Sequence, residues 1–250
     1  APQTRGHPGL RATLVNRITV NPNADIAVRH IAGDDFCVVV DDFLQHPGEL
    51  VDFAVANSTA FEEQAIGYPG VLYDVAPDAM TDIQRFIRSH MSRRFSFFKG
   101  DIRTSTYLSM ATRQTGELGP LQRLPHSDPR ANPERHNYAA LVYLFDNPEL
   151  GGTGFYRWTN RELIERATAM EIESAGSSAD FLAGNLEMYR QPPRYMSGTN
   201  EVAELLLEIP ARFNRLLFYS GDVPHSAHIP APDLLSADFA SGRLTLNCFA

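Results

Sequence analysis

Apolar residues fall into two rhythms along the chain. "DFCVVVDDF" (35–43) is an unbroken β-branched run and predicts a buried strand. "HPGELVDFAVANS" (46–58) predicts a helix with Pro47 in its first turn, where a missing N–H is harmless. "YPGVLYDVAP" (68–77) is rich in turn formers and predicts a turn. "PDAMTDIQRFIRSHMSRRF" (77–95) spaces Met80, Ile83, Phe86, Ile87, Met91 and Phe95 mostly three or four apart, the signature of a helix with one buried face.

From residue 101 short apolar runs alternate with Gly, Pro, Asn and Asp clusters. Strands are predicted at 102–111, 137–145, 152–158, 214–221, 224–230 and 243–250, with one helical interruption, "NRELIERATAME" (160–171). Helices first and many short strands after predict an α+β, mainly β fold, a double-stranded β-helix (jelly roll) core with supporting helices. We expect a single domain over 1–250, with 1–100 as helix-bearing support and 101–250 as the core. The polar stretch 1–24 is expected to wrap loosely, the stretch 172–181 containing "ESAGSSADF" to form a flexible loop, and 160–213 to offer a lid.

Charge and cysteine content narrow the partners. Lys+Arg 22 against Asp+Glu 30 gives a net charge of -8, which argues against nucleic acid and an anionic membrane surface. No apolar run reaches the about 18 residues that a transmembrane helix needs, and "APQTRGHPGLRATLVNR" lacks the apolar heart of a signal peptide. Two cysteines, Cys37 and Cys248, make neither a secreted disulfide framework nor a thiolate zinc site. A small-molecule partner and a cytoplasmic setting are expected.

Candidate chemistry centres on "QRLPHSDPRANPERHNYAALVYL" (122–144), which holds His126-x-Asp128 before a strand. The triplet alone fits a solvated loop as well as a metal site. Non-haem iron is often held by two histidines and one carboxylate, with positions left open for O2 and a co-substrate. Of the eight histidines, His7, His30 and His46 precede the strands, His90 sits on the long helix, and His136 lies in a charged loop. His225 and His228 in "GDVPHSAHIP" are three apart, so on a strand they face opposite sides. His225 opens its strand and is the favoured ligand; His228 is expected to face outward or stand behind the ligands. A buried co-substrate carboxylate needs a cation. Arg243 in "GRLTLNCFA" begins an apolar strand, shares a face with Thr245, and has a planar fork suited to a carboxylate.

The order His126-x-Asp128, His225, Arg243-x-Thr245 resembles the Fe(II)/2-oxoglutarate-dependent dioxygenase superfamily. "YAALVYLFDNPELGGTGFYRW" is similar to its prolyl-hydroxylase-like branch. "VVVDDFLQHPGELVDFA", "YPGV", "LGPLQRLPHSD", "GGTGFYR", "NRLLFYSGDVPHSA" and "GRLTLNCF" resemble an uncharacterised bacterial family of that superfamily, the DUF6445-like proteins, over residues 36 to 250. The resemblance implies Fe(II), 2-oxoglutarate and O2 as cofactors. His126, Asp128 and His225 would act as the metal and catalytic set. Arg243, Thr245 and Tyr143 would hold the co-substrate. It also implies hydroxylation or another oxidation over halogenation, because halogenases have a small residue where Asp128 stands.

"YPGVLYD" and "GFYRWTNRE" are expected to border the pocket mouth, and Tyr68, Arg130, Arg157 and Trp158 are candidates to bind an acidic or amino-acid-like substrate. Trp158 departs from the family pattern, which more often has a histidine after "FYR". Three readings stand: an oxidase of a small metabolite, possibly an amino acid or natural-product intermediate; the same chemistry on a peptidyl side chain; and a cupin-like protein that binds metal or ligand without turnover. Arg243 with Thr245 argues against the last, since a sensor needs no second buried anion clamp.

Overall fold

The computed structural model describes residues 18–63, 67–91, 95, 105–130 and 137–249. The loosely wrapped segment expected over 1–24 lies largely outside these residues, as do His7 and His136. Of that segment's described part, Ile18 is buried and Val20 bridges Leu44.

Eleven strands are described: β1 (Asp25–Ala32), β2 (Asp35–Asp41), β3 (Glu62–Glu63), β4 (Gly70–Asp74), β5 (Ser105–Ala111), β6 (Tyr138–Tyr143), β7 (Gly152–Trp158), β8 (Ala203–Pro210), β9 (Leu216–Ser220), β10 (His225–His228) and β11 (Arg243–Phe249). The helices are α1 (Pro47–Ala56), α2 (Thr81–Phe86), α3 (Arg161–Glu173) and α4 (Ala179–Asn185). An eight-stranded sheet runs β1-β2-β9-β6-β11-β5-β4-β3, and a three-stranded sheet runs β10-β7-β8. All neighbouring strands within them are antiparallel.

The large sheet is buried on both faces, which is why its strands read as continuous apolar runs. Val38, Val40, Leu108, Met110, Val142, Phe218, Leu244 and Leu246 pack with Leu50 and Ala54 of α1 and with Ile83 and Phe86 of α2. Their neighbours in sequence, Cys37, Val39, Leu217 and Tyr219, point the other way and meet Phe155 and Ile209 of the small sheet. A fully buried side chain of this kind stabilises by about 1.5–3 kcal/mol. On β7 Phe155 faces the large sheet, whereas Tyr156 joins Ile164 of α3 and Leu182 of α4 in a separate cluster. The two cysteines lie in the clusters on opposite faces of the large sheet, and both are free thiols. Burial pushes the Cys37 thiol up to about 12 and that of Cys248 to about 11. No helix of the described residues is long and apolar enough to cross a membrane.

Several expectations need correction. The turn-rich stretch 68–77 contains β4, whose Gly70 admits a neighbour so close that a Cβ there would lie 1.9 Å from the Met110 carbonyl oxygen. The helix expected over 77–95 buries the six apolar residues that its spacing marked. Its backbone, however, is a 3-10 turn at Pro77–Met80, then α2, then a wide π turn at Ile87–Met91. The Ser89 hydroxyl donates to the Arg85 and Phe86 carbonyls inside that turn, a bond that competes with the helix ladder. The flexible loop expected at 172–181 is organised: buried Glu171 accepts from the Gly176 N–H at 2.6 Å and the Ser178 hydroxyl at 2.6 Å, and α4 starts at Ala179.

Candidate metal centre

Two histidines are set side by side by the backbone. His126 pairs with His225 at the edge of β10, each N–H donating to the other's carbonyl, at 2.9 and 2.8 Å. Such a pair points both side chains to the same side. Their rings lie 4.5 Å apart between centroids. Two residues on, Asp128 donates its N–H to the Gly221 carbonyl at 2.8 Å, fastening it to the turn after β9. A Cβ on Gly221 would lie 2.8 Å from Asp128 Oδ2, so only glycine lets that carboxylate settle.

The side chains converge. Asp128 Oδ1 lies 3.7 Å from His126 Nε2 and 3.6 Å from His225 Nε2, and one donor atom from each residue falls within 4.8 Å of the others. His225 faces the space between the sheets: its ring stands edge-on to Tyr219, 4.7 Å away, and its strand partner is Phe155. Its Nδ1 is 2.9 Å from the Val223 carbonyl, so the proton sits on Nδ1 and Nε2 keeps its lone pair toward Asp128. Asp128 Oδ2 is buried without a hydrogen-bond partner.

Electrostatics favour a cation here. Burial pushes Asp128 up to about 6, against the pull of His126. Burial likewise pushes His225 down to about 4. Enclosure and then His225 push His126 down to about 4. With 58% of the His126 side chain open to water, enclosure acts more weakly there than at His225. Two neutral imidazoles and a carboxylate with one orphaned oxygen make a donor set that suits a divalent ion with open positions.

A second polar group lies on the inner face of the large sheet. Arg243 is 3% exposed; its Nε and Nη2 donate to the carbonyls of Leu150 and Gly152 at 3.0 and 2.7 Å, and no carboxylate among the described residues pairs with it. Thr245 stands opposite Tyr143 across β11 and β6. The Tyr143 hydroxyl is already engaged with Thr153 Oγ1 at 2.7 Å, and Tyr195 donates to the Arg113 carbonyl at 2.7 Å. Tyr68, expected at the pocket mouth, is instead beside Arg243 and Thr245, its hydroxyl buried and without a well-directed hydrogen bond. Nothing in the local sequence of Tyr68 announces this, because the neighbours come from a strand about 175 positions away.

The remaining candidates point elsewhere. Arg130 is exposed and clamps Asp222 through Nε and Nη2 at 2.6 and 2.5 Å. Arg157 is exposed and paired with Glu204, because the β7–β8 pairing slips between Phe155 and Tyr156 and sets the two side chains across from each other. Trp158 packs against the α3–α4 cluster, its indole N–H donating to the Pro125 carbonyl at 3.0 Å. His228 lies near Glu208, at 3.5 Å, and takes no part in the cluster of three. His90 stacks on Phe86, and His30 bonds the Gly33 carbonyl. Gly221 and Val223, which seat Asp128 and His225, went unmarked by sequence reasoning; "SGDVP" gave only a turn signal.

No curated protein matches the chain. Among solved structures, it is similar to HygX from Streptomyces hygroscopicus with nickel, 2-oxoglutarate and hygromycin B bound: 16% identity, 86% of this chain and 81% of that one, TM-score 0.41. It is also similar to EvdO2 from Micromonospora carbonacea var. aurantiaca complexed with 2-oxoglutarate: 10% identity, 90% and 93% coverage, TM-score 0.37. A family model spans β1 through β11 and with them every residue of the His126, Asp128 and His225 cluster. Over residues 22–250 the chain belongs to DUF6445, a family of unknown function.

Proposed function

We propose that the chain is a single-domain jelly roll acting as an Fe(II)- and 2-oxoglutarate-dependent dioxygenase that oxidises a C–H bond of a small molecule. The observation that carries this is the pairing of two unsatisfied centres. One is a His–His–Asp cluster whose buried Asp128 Oδ2 has no partner, and the other is a buried arginine on the facing sheet with no carboxylate. A polar atom held out of water without a partner, or a buried charge without a counter-charge, is costly, so each centre fits a missing component. The first wants a metal and the second an organic acid.

His126, Asp128 and His225 would hold the iron. Bound together, iron, 2-oxoglutarate and O2 supply the oxidation: one oxygen atom goes to the substrate and one to succinate, with loss of CO2. The residues of this chain orient and exclude. Val223 fixes the tautomer of His225. Arg243 is itself aimed by the Leu150 and Gly152 carbonyls, so it presents its remaining N–H groups to a carboxylate, with the hydroxyls of Tyr68 and Thr245 alongside. Phe155, Tyr219 and Leu217 keep water from the inner space. Two buried free thiols fit a reducing compartment, the cytoplasm.

The test is succinate formation from 2-oxoglutarate with Fe(II), ascorbate and O2. We expect release by the wild-type chain and its loss in His225→Ala and Asp128→Ala. No release, together with no retention of divalent metal by the wild-type chain, would overturn the reading.

A further inference from the structure

Of the three clustered residues, His126 is the odd one. Asp128 and His225 side chains are 6% exposed, whereas that of His126 is 58% exposed. Its strand is only the single bridge to His225. Before it the chain runs through 3-10 turns at Thr115–Glu117 and Pro120–Arg123, with no longer ladder to stiffen it. Fixing such a backbone costs conformational entropy, and the bridge by itself is poorly placed to offset that.

The described side chains supply another anchor. Trp158 at the end of β7 donates to the Pro125 carbonyl, 3.0 Å away and directly before His126. Tyr189 donates to the Pro120 carbonyl at 2.6 Å. Buried Arg123 reaches the opposite way, donating to the Met188 carbonyl and, at 3.4 Å, to that of Gln191, with its guanidinium 4.2 Å above the Tyr189 ring. The far end is anchored in turn, since the Glu201 carboxylate accepts the N–H groups of Glu187 and Met188. Thr159, next to Trp158, donates its hydroxyl to the Glu201 carbonyl.

We infer that Trp158, Arg123 and Tyr189 are positioning residues: the end of β7 and the α3–β8 connection latch the segment before His126 and hold that histidine in register for metal. This rests on the proposed metal role of His126. It reassigns the stretch expected to be a lid, and Trp158 with it, from substrate contact to support of a ligand strand.

Two measurements test the latch in the full chain. In metal-free protein, Trp158→Phe keeps an aromatic ring but loses the N–H. It should speed hydrogen exchange of the His126 amide at least about tenfold while leaving the β5, β6 and β11 amides unchanged. Titrated with Mn(II) alone, the same variant should bind about tenfold or more weakly, as outer partners of metal ligands do. Trp158→His, which keeps a ring N–H, should recover most of both losses, and Tyr189→Phe should show a smaller loss of the same kind. Wild-type exchange and affinity in Trp158→Phe would sink the latch, as would Trp158→His doing no better than Trp158→Phe. If the wild-type chain binds no Mn(II), the oxygenase reading falls, while the exchange arm still decides the latch.

Discussion

His225 Nδ1 lies 2.9 Å from the Val223 carbonyl, two residues back in its own chain, and this bond turns its Nε2 toward Asp128. His228, three residues on, turns instead to Glu208. Divalent metal should therefore follow one histidine and not the other. His126→Ala and His225→Ala should lose Fe(II) or Mn(II) binding, and His228→Ala should keep most of it, as read by metal titration. Loss of metal in His228→Ala with retention in His225→Ala would show that the wrong histidine has been chosen.

Gly221 seats the carboxylate of Asp128. A methyl group there would meet Oδ2 at 2.8 Å and Asn137 Nδ2 at 3.0 Å. Gly221→Ala should weaken metal binding about tenfold or more and should do so without altering any ligand residue. Unchanged affinity would mean that the turn after β9 yields freely.

Arg243 and Tyr68 should govern the organic acid and leave the metal alone. Arg243→Ala should abolish measurable 2-oxoglutarate binding at millimolar concentration while Mn(II) still binds. Tyr68→Phe should weaken the acid by roughly tenfold to a hundredfold, since a hydrogen bond to a charged group contributes about 1.5–3 kcal/mol. Tyr143→Phe should matter less, because its hydroxyl is already taken by Thr153. Calorimetric titration of each variant with 2-oxoglutarate separates the three.

Asp41 ties β2 to the start of β9 through Arg215 at 2.7 and 2.9 Å, with Arg212 beside them. The Arg215 hydrogen bonds hold its carboxyl below the usual range. A carboxylate so depressed adds stability that is complete above its unfolded value of about 3.9 and fades as pH falls through the lower folded one. Wild type should exceed Asp41→Asn by roughly 1–2 kcal/mol at pH 7 in urea unfolding, with the gap closing below about pH 4. A gap independent of pH down to 2 would point to packing and not to charge.

Much of the candidate site could be read from the chain because its residues are concentrated in short, ordered motifs. His126-x-Asp128, a histidine opening a strand and an arginine opening another each carried a local signature, and alternation along β10 favoured His225 over His228. Strand edges were harder. β1 and β8 lie at the ends of their sheets, with polar residues such as Arg29, Glu204 and Glu208 among the apolar ones, so neither showed a clean two-residue rhythm. Arg130, Arg157 and Trp158 stand next to motif residues in sequence, yet Asp222, Glu204 and the Pro125 carbonyl engage their donors. Proximity along the chain says little about which way a side chain turns, and a single slip in strand pairing is enough to redirect one.

The bridge between His126 and His225 joins strands nearly a hundred residues apart in the chain, with 97 positions separating Asp128 from His225. An ion gripping both ends would act as a clasp on that excursion, so occupancy and folding become linked. Divalent cation at a hundred times its dissociation constant would add about 2.7 kcal/mol to the unfolding free energy. Heat resistance would then rise and fall with the metal supply of the cell, and chelation would loosen β7, α3, α4 and β8 together.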